Sequence, residues 1–310
     1  MTAPAPLIAL TGASGFIGRW IARHLVAAGW RVRVLVRPGS ESRLPAGLPL
    51  LRHRGTLTAP EGLAAFVAGA QAVVHCAGQV RGITPADFEA VNVAGTRHLA
   101  AAAARAKVRR FVLISSLAAR EPHLSPYAAS KRAGEEVISA FGQAFSSLAL
   151  RPPAVYGPGD REMRPLLEAM ARGWIPVLSD LSARFSLLYV EDLARAVAAA
   201  VRSDAEGVFE LDDGRPGGYG WHEVQAIAAA YRQGKARLLP VPEAWLRTVA
   251  RISLGLARLS GRLPMLTPAK VNELRHPDWV CDNTRICQVL DWRPQVDFAT
   301  GLPRTLASPA

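Results

Sequence analysis

The chain is poor in the residues that mark several functional classes. It has only three cysteines, Cys76, Cys281 and Cys287, in 310 residues. They follow no metal-ligand spacing and cannot all pair, so no metal site and no disulfide framework is read, and a reducing cytoplasm is the expected compartment. No run of 18 apolar residues occurs, which excludes a spanning helix. The opening "MTAPAPLIALTG" lacks a basic n-region and a long apolar h-region, so no secretory signal is expected. Basic residues outnumber acidic ones by 37 to 25, a net charge of +12. The arginines are nevertheless scattered, with no aromatic-interleaved basic stripe, which counts against nucleic acid as a partner.

Hydrophobic residues make up 50% of the chain, enough to bury a large core in one domain or two lobes. One apolar stretch, "AWLRTVARISLGLARLSGR" (244–262), carries an arginine every few residues. It reads as an amphipathic helix packed on a second lobe, or as one lying in a membrane interface.

Through the first half, short apolar runs alternate with helical patterns. Strands are expected at 7–10, 31–36, 48–53, 72–78 and 110–116, with a long helix over 87–106 and another carrying Tyr127. This alternation predicts right-handed crossovers and an α/β fold of the Rossmann type, a doubly wound parallel sheet. After Gly157 the rhythm loosens. The dinucleotide-binding domain is expected over 1–157, with 187–213 returning to it as a last helix and strand. Residues 158–186 and 214–310 are left for a smaller, C-terminal substrate lobe.

"LIALTGASGFIGRW" places Gly12, Gly15 and Gly18 between a buried strand and a helix. Small residues there let backbone approach a pyrophosphate, and the free N–H groups of the helix start face the anion. Gly12, Ser14, Gly15, Phe16, Ile17 and Gly18 are the candidate phosphate-binding turn. At the end of the second strand, where a carboxylate would select a free ribose, stands Arg37, with Ser40 and Arg43 close behind and Arg19 just past the third glycine. Guanidinium groups suit a 2′-phosphate, so NADP(H) is expected in preference to NAD(H).

"SPYAASKRAGEE" sets Tyr127 and Lys131 one helical turn apart. Hydride exchange with a carbonyl needs a proton donor at the oxygen. A free tyrosine, with a pKa near ~10, is a poor base at neutral pH, and a neighbouring ammonium favours its phenolate. Lys131 is expected to lower the pKa of Tyr127 and to bond the nicotinamide ribose. Ser116 is expected to hold the substrate oxygen, with Ser115 as the alternative. His75 reads as a packed core histidine.

"TGASGFIG", "VNVAGT", "ISS", "YAASK" and "RPPAVYGPGD" occur in an order and spacing that resemble the extended branch of the short-chain dehydrogenase/reductase superfamily, the NAD-dependent epimerase/dehydratase type. The resemblance covers almost the whole chain. It implies that Asn92 supports the lysine through water, that Ala77 and Gly78 pass close to the cofactor, and that Pro152 and Val155 border the nicotinamide. It also implies a homodimer through helices 87–106 and 127–142. Thr56 departs from the pattern, where relatives carry an aspartate that contacts adenine. Leu117 and Ala118 occupy the places of a dehydratase acid–base pair, which counts against dehydration.

The remaining readings are three. The favoured one is a ketone or aldehyde reductase, or alcohol dehydrogenase, similar to dihydroflavonol reductases and 3β-hydroxysteroid dehydrogenases. Its lobe, rich in Trp, Leu and Ala with few convergent charges, suits an apolar small-molecule substrate. The others are a sugar-nucleotide epimerase and a non-catalytic NADP(H)-binding subunit or redox sensor.

Overall fold

Four short, largely buried strands and one more exposed edge strand begin the sheet, and their order of pairing builds the site. In the computed structural model, which describes residues 5–260 and 263–308, the chain opens with β1 (Leu7–Thr11), α1 (Phe16–Ala27), β2 (Arg31–Val36), β3 (Leu50–Arg54), α2 (Leu63–Val67) and β4 (Ala72–His75). There follow α3 (Pro85–Phe88), a π-helical turn (Glu89–Gly95), α4 (Thr96–Arg105), β5 (Arg110–Ile114), α5 (Pro126–Ser139) and β6 (Ser146–Arg151). Next come β7 (Ala154–Tyr156), α6 (Arg164–Ala171), β8 (Trp174–Val177), β9 (Arg184–Phe185), β10 (Leu187–Tyr189), α7 (Val190–Arg202) and β11 (Gly207–Glu210). The chain closes with β12 (Tyr219–Gly220), α8 (Trp221–Tyr231), β13 (Arg237–Pro240), α9 (Glu243–Ser260), α10 (Pro268–Arg275), β14 (Asp278–Trp279), α11 (Thr284–Leu290) and α12 (Phe298–Ala307).

The main sheet has seven strands in the order β11-β6-β5-β4-β1-β2-β3, every neighbouring pair parallel. The order reverses between β1 and β4, and the crevice beyond the strand ends at such a switch is where this architecture binds ligands. Both faces are covered, which is why β1 and β5 read as unbroken apolar runs and are buried at every residue. One face packs α1 and α7 through Ile21, Leu25, Leu193 and Val197. The other packs α2, α4 and α5 through Phe66, Leu99, Phe111 and Ile138.

A separate core of Tyr156, Leu167, Tyr219, Trp221 and Phe298 lies under three small sheets, β10-β7, β12-β9-β14 and β13-β8. The return of β11 to the main sheet, beside β6, matches the pattern of 207–213. The C-terminal segment is more mixed than the expected 214–310 lobe. Ile286 and Leu290 of α11, with Trp292, pack into the main-sheet core, because α11 lies against α7 and β11 and buries its apolar face there. Residues 309–310 fall outside the described residues.

The 87–106 stretch is also not one regular α-helix. A π-helical turn interrupts it at Glu89–Gly95. Such turns insert one extra residue and frequently occur at functional sites.

Candidate active site

The glycine turn has the geometry of an anion cradle. Gly12 takes φ +82°, and a Cβ there would stand 2.7 Å from the Ala77 nitrogen; at Gly18 it would stand 2.0 Å from the Gly12 carbonyl oxygen. Glycine is therefore required at both positions, since the turn is pressed against the end of β4 and against the start of α1. Gly15 caps α1 with no side-chain bond and no acidic residue in the first turn, so the N–H groups beginning at Phe16 and Ile17 face the turn with the positive end of the helix dipole. Ser14 is half-buried beside them. These residues fit the pyrophosphate of a dinucleotide.

Of the basic groups expected near the end of β2, Arg19 and Arg43 lie together with Ser40. Arg37 is exposed directly after the strand, and its carbonyl accepts from Ser40 N at 3.0 Å. Arg43 donates to the Ser40 hydroxyl at 2.8 Å, and Arg19 donates to the Arg43 carbonyl at 2.9 Å. Burial, followed by the nearby Arg161, Arg23 and Arg43 charges, pushes the Arg19 pKa down. Like charges gathered this way suit an anionic ligand. Thr56, by contrast, shares a hydrogen bond with Thr58 at 3.1 Å.

At the other side of the crevice, α5 is started by Ser125, whose hydroxyl accepts from Ala128 N at 3.0 Å, and by Pro126 in the first turn. This fixes Tyr127 and Lys131 on the face toward β5. Ser116 lies close enough to the Tyr127 phenol to lower its pKa, and its hydroxyl accepts from Ala118 N at 3.2 Å. Ser115 is directed elsewhere: its buried hydroxyl donates to Glu135, which receives Arg151 through two bonds of 2.8 and 2.6 Å. Of the two candidate serines, Ser116 is therefore the one at the tyrosine.

One expectation is overturned. Lys131 does not make Tyr127 acidic in this geometry. Burial pushes the phenol up to about 12, the Ser116 hydroxyl offsets part of this, and the Glu273 carboxylate adds to it. Burial likewise holds Lys131 down at about 8, with Cys76 and Glu135 opposing, and its ammonium donates to the Ile114 carbonyl at 2.7 Å. Desolvation is the largest influence on both groups. The phenol is thus a proton donor at neutral pH.

Asn92 lies near Lys131 and is held there by direct bonds of its own. Its side chain accepts from Gln79 N at 2.7 Å and donates to Gln79 O and to the Ser130 hydroxyl, each at 2.9 Å. The amide binds the 78–79 loop to α5. A Cβ on Gly78 would stand 3.2 Å from Asn92 Oδ1 and 3.5 Å from Lys131 Nζ, so a small residue at 78 keeps the two side chains near one another. Ala77 donates its N–H to Thr11 Oγ1 at 3.1 Å. Pro152 is buried, and its carbonyl accepts from Leu117 N at 2.8 Å. Val155 lies half-buried in β7, paired with Leu188 of β10.

His75 is a satisfied core histidine, 1% exposed. Burial, assisted by the Lys131 charge, pushes its pKa down to about 3, so the ring is neutral. Thr96 donates to the Asn92 carbonyl at 2.7 Å, so its bond to His75 Nε2, 3.0 Å, is one in which the ring donates. His75 Nδ1 then accepts from Thr11 at 2.7 Å. One directed chain of bonds joins β1, β4, α4 and the π-helical turn.

A cavity of about 220 Å³ opens at Tyr127. Val80, Phe88, Leu254, Pro264 and Met265 supply apolar walls, and Ser125, Lys270 and Glu273 supply polar groups. Lys270 bonds Glu273 at 2.6 Å and lies over the Tyr127 ring at 5.8 Å, while Ser125 donates to the same carboxylate. Sequence analysis missed this pair and placed few charges in the lobe. The signal available was Lys270 and Glu273 at a helical i,i+3 spacing behind the capping Thr267 in "LTPAKVNEL".

A parallel sheet with this switch-point turn, and a half-buried serine and tyrosine with a lysine one turn on, are consistent with a dinucleotide-dependent enzyme of the Rossmann class. The sequence profile of the NAD dependent epimerase/dehydratase family matches residues 8–211. The chain belongs to that family, in the extended branch of the short-chain dehydrogenases/reductases, and is an NAD(P)-dependent oxidoreductase. It is 41% identical over 274 residues to a ceramide reductase of Caulobacter vibrioides, covering 88% of this chain and 85% of that one. It is 27% identical to a 2-alkyl-3-oxoalkanoate reductase of Stenotrophomonas maltophilia, covering 98% and 99%. In fold it is similar to the UDP-glucose 4-epimerase of Thermus thermophilus solved with NAD, with a TM-score of 0.70, 24% identity and coverage of 97% of each chain.

Proposed function

We propose that this protein reduces a ketone carried on a long-chain, largely apolar molecule, with NADPH as reductant and Tyr127 as proton donor. The observation that supports the reading is the largely apolar cavity that opens at Tyr127, the residue whose phenol Ser116 adjoins. Two relatives whose names specify reduction of ceramide and of a 2-alkyl-3-oxoalkanoate support the same substrate class. Apolar walls suit a hydrocarbon better than a sugar nucleotide, which counts against epimerisation. A non-catalytic binding role leaves the assembled Ser116, Tyr127 and Lys131 without a purpose.

Gly12, Ser14, Gly15, Phe16, Ile17 and Gly18 would hold the pyrophosphate, and Arg37 with Arg19, Ser40 and Arg43 the 2′-phosphate. Ala77, Gly78, Pro152 and Val155 would border the cofactor, with Lys131 at the ribose. Bound NADPH supplies hydride to the carbonyl carbon. The substrate oxygen accepts hydrogen bonds from the Ser116 and Tyr127 hydroxyls, which stabilise the charge that develops on it. The Tyr127 proton passes to that oxygen as the alcohol forms, leaving a phenolate that the Lys131 ammonium steadies until a solvent proton restores it. Asn92 fixes the 78–79 loop and α5 against each other, so these groups stay in register.

The test is NADPH oxidation by the purified protein against ketones of increasing chain length. Turnover should rise with chain length, and Tyr127→Phe should lower kcat by about 10²–10⁴-fold while NADPH still binds. Absence of turnover on every ketone, or an undiminished Tyr127→Phe, overturns the reading.

A further inference from the structure

Among the described residues, fourteen large hydrophobic side chains are exposed, and six of them fall between 245 and 265. α9 buries only Leu246, Ala250 and Ala257, the first two packed against Val271 of α10. Trp245, Ile252, Leu256 and Leu259, with half-buried Val249, stand one above another at spacings of four and three residues. They form a continuous apolar stripe that the fold leaves uncovered, with Trp245, Ile252, Leu256 and Leu259 between 58 and 87% exposed. Isolated exposed hydrophobes need no explanation, but a contiguous stripe marks an interaction site.

The surroundings of the stripe indicate what covers it. Past Glu243 the helix has no acidic residue. Arg247 is matched by that one carboxylate at 2.7 Å, whereas Arg251 and Arg258 point away from the packed face, exposed, with no ion-pair partner among the described residues. A second copy laid on the stripe would gather these guanidinium groups with only Glu243 on each helix to offset them, and that carboxylate already pairs with Arg247 and Arg275. An anionic lipid surface matches both the charge and the apolar stripe, and the indole of Trp245 suits the headgroup boundary. The stripe also leads to the reaction site. Leu263 and Met265, a few residues further along the chain, are exposed at 40 and 42%, and Met265 and Leu254 line the cavity at Tyr127 together with the 58%-exposed Val80. A cavity of about 220 Å³ takes the reacting end of a long-chain molecule and leaves the chain to run out past these residues. No helix among the described residues is long and apolar enough to cross a membrane, so α9 would lie in the surface plane.

We propose that α9 docks this protein on an anionic lipid bilayer, its Trp245–Leu259 stripe in the acyl boundary and its Arg251–Arg258 edge on the headgroups, so that the cavity mouth faces the lipid. The use of this docking rests on the long-chain substrate proposed above; the docking itself does not.

The test is co-sedimentation of the full chain with vesicles of phosphatidylglycerol and phosphatidylethanolamine, compared with phosphatidylcholine alone, at low and high salt. The wild type should sediment with the anionic vesicles, and salt should weaken binding. The double variant Ile252→Glu/Leu256→Glu should bind about tenfold or more weakly, and Arg251→Ala/Arg258→Ala should lose the preference for anionic lipid. Circular dichroism and NADPH binding check that each variant is folded. Reduction of a short, water-soluble ketone should be unchanged in the Glu variant, and reduction of a long-chain ketone presented in vesicles should fall. No sedimentation with either vesicle, equal binding by the Glu variant, or a wild-type dimer that this variant converts to monomer overturns the docking. Vesicle binding without turnover on any ketone leaves the docking standing and removes the reductase reading.

Discussion

The Asn92 side-chain amide donates to the Ser130 hydroxyl at 2.9 Å, joining the π-helical turn to α5 one residue before Lys131. The two helices approach closely at this point: a Cβ on Gly134 would stand 2.9 Å from the Asn92 carbonyl oxygen. The wide turn carries that carbonyl to where Thr96 and α5 both meet it. Orientation of Lys131 thus depends on a helix irregularity on the neighbouring element.

Gly134→Ala should therefore separate α5 from the turn. Overpacking of this kind costs about 1–3 kcal/mol. The expected result is a lower denaturation midpoint with a loss of kcat larger than the loss of NADPH affinity. Chemical denaturation and kinetics on one preparation check it, and an unchanged midpoint would contradict the contact.

The two adjacent serines should separate function from stability. Ser116→Ala should lower kcat by about 10-fold or more, through the lost bond at the reacting oxygen, with the melting temperature unchanged. Ser115→Ala leaves the buried Glu135 short of one donor and should cost about 1–3 kcal/mol of stability, with a smaller effect on kcat. Thermal melts beside steady-state rates distinguish them, and reversal of the pattern would exchange the two roles.

Cofactor choice should follow the basic cluster after β2. Removing one charge-assisted bond costs about 1.5–3 kcal/mol, which is roughly 10–150-fold in affinity. Arg37→Ala and Arg43→Ala should weaken NADPH by that order and leave NADH nearly unaffected. Titration with both dinucleotides reads the ratio; an unchanged ratio would remove these residues from the 2′-phosphate site.

The pH dependence follows from Lys131 at about 8 and Tyr127 at about 12. As pH rises through about 8, Lys131 loses its charge while Tyr127 keeps its proton, so kcat/KM for reduction should fall above that pH. Lys131→Arg, which cannot lose its charge in this range, should flatten the limb at a lower plateau. The stability effect has the opposite sign. A lysine whose folded pKa is depressed binds fewer protons than the unfolded chain between about 8 and 10.5, so this group alone makes stability rise across that window. A rate profile and denaturant melts over the same pH range check both signs.

Local pattern was sufficient wherever one residue's neighbours in sequence are its neighbours in space. The glycine turn, the Tyr127–Lys131 spacing and the strand–helix alternation are of this kind, because a turn, a helix face and a crossover follow from sequence spacing alone. The π-helical turn was not legible, since one extra residue in a helix leaves the apolar pattern of 87–106 nearly intact. Nor were Lys270 and Glu273, which reach Tyr127 from more than a hundred residues away through the placing of α10. The membership of α11 in the main-sheet core was hidden for the same reason.

The sequence by itself determined the doubly wound order, the glycine turn between β1 and α1 and the one-turn spacing of Tyr127 and Lys131 on α5, since each depends on short-range backbone geometry. Only the tertiary structure decided which serine meets the tyrosine, that burial raises the phenol instead of the lysine lowering it, and that α9 keeps an apolar stripe uncovered beside the cavity. Those three depend on how much water remains at a given atom, and that is set by elements distant in the chain.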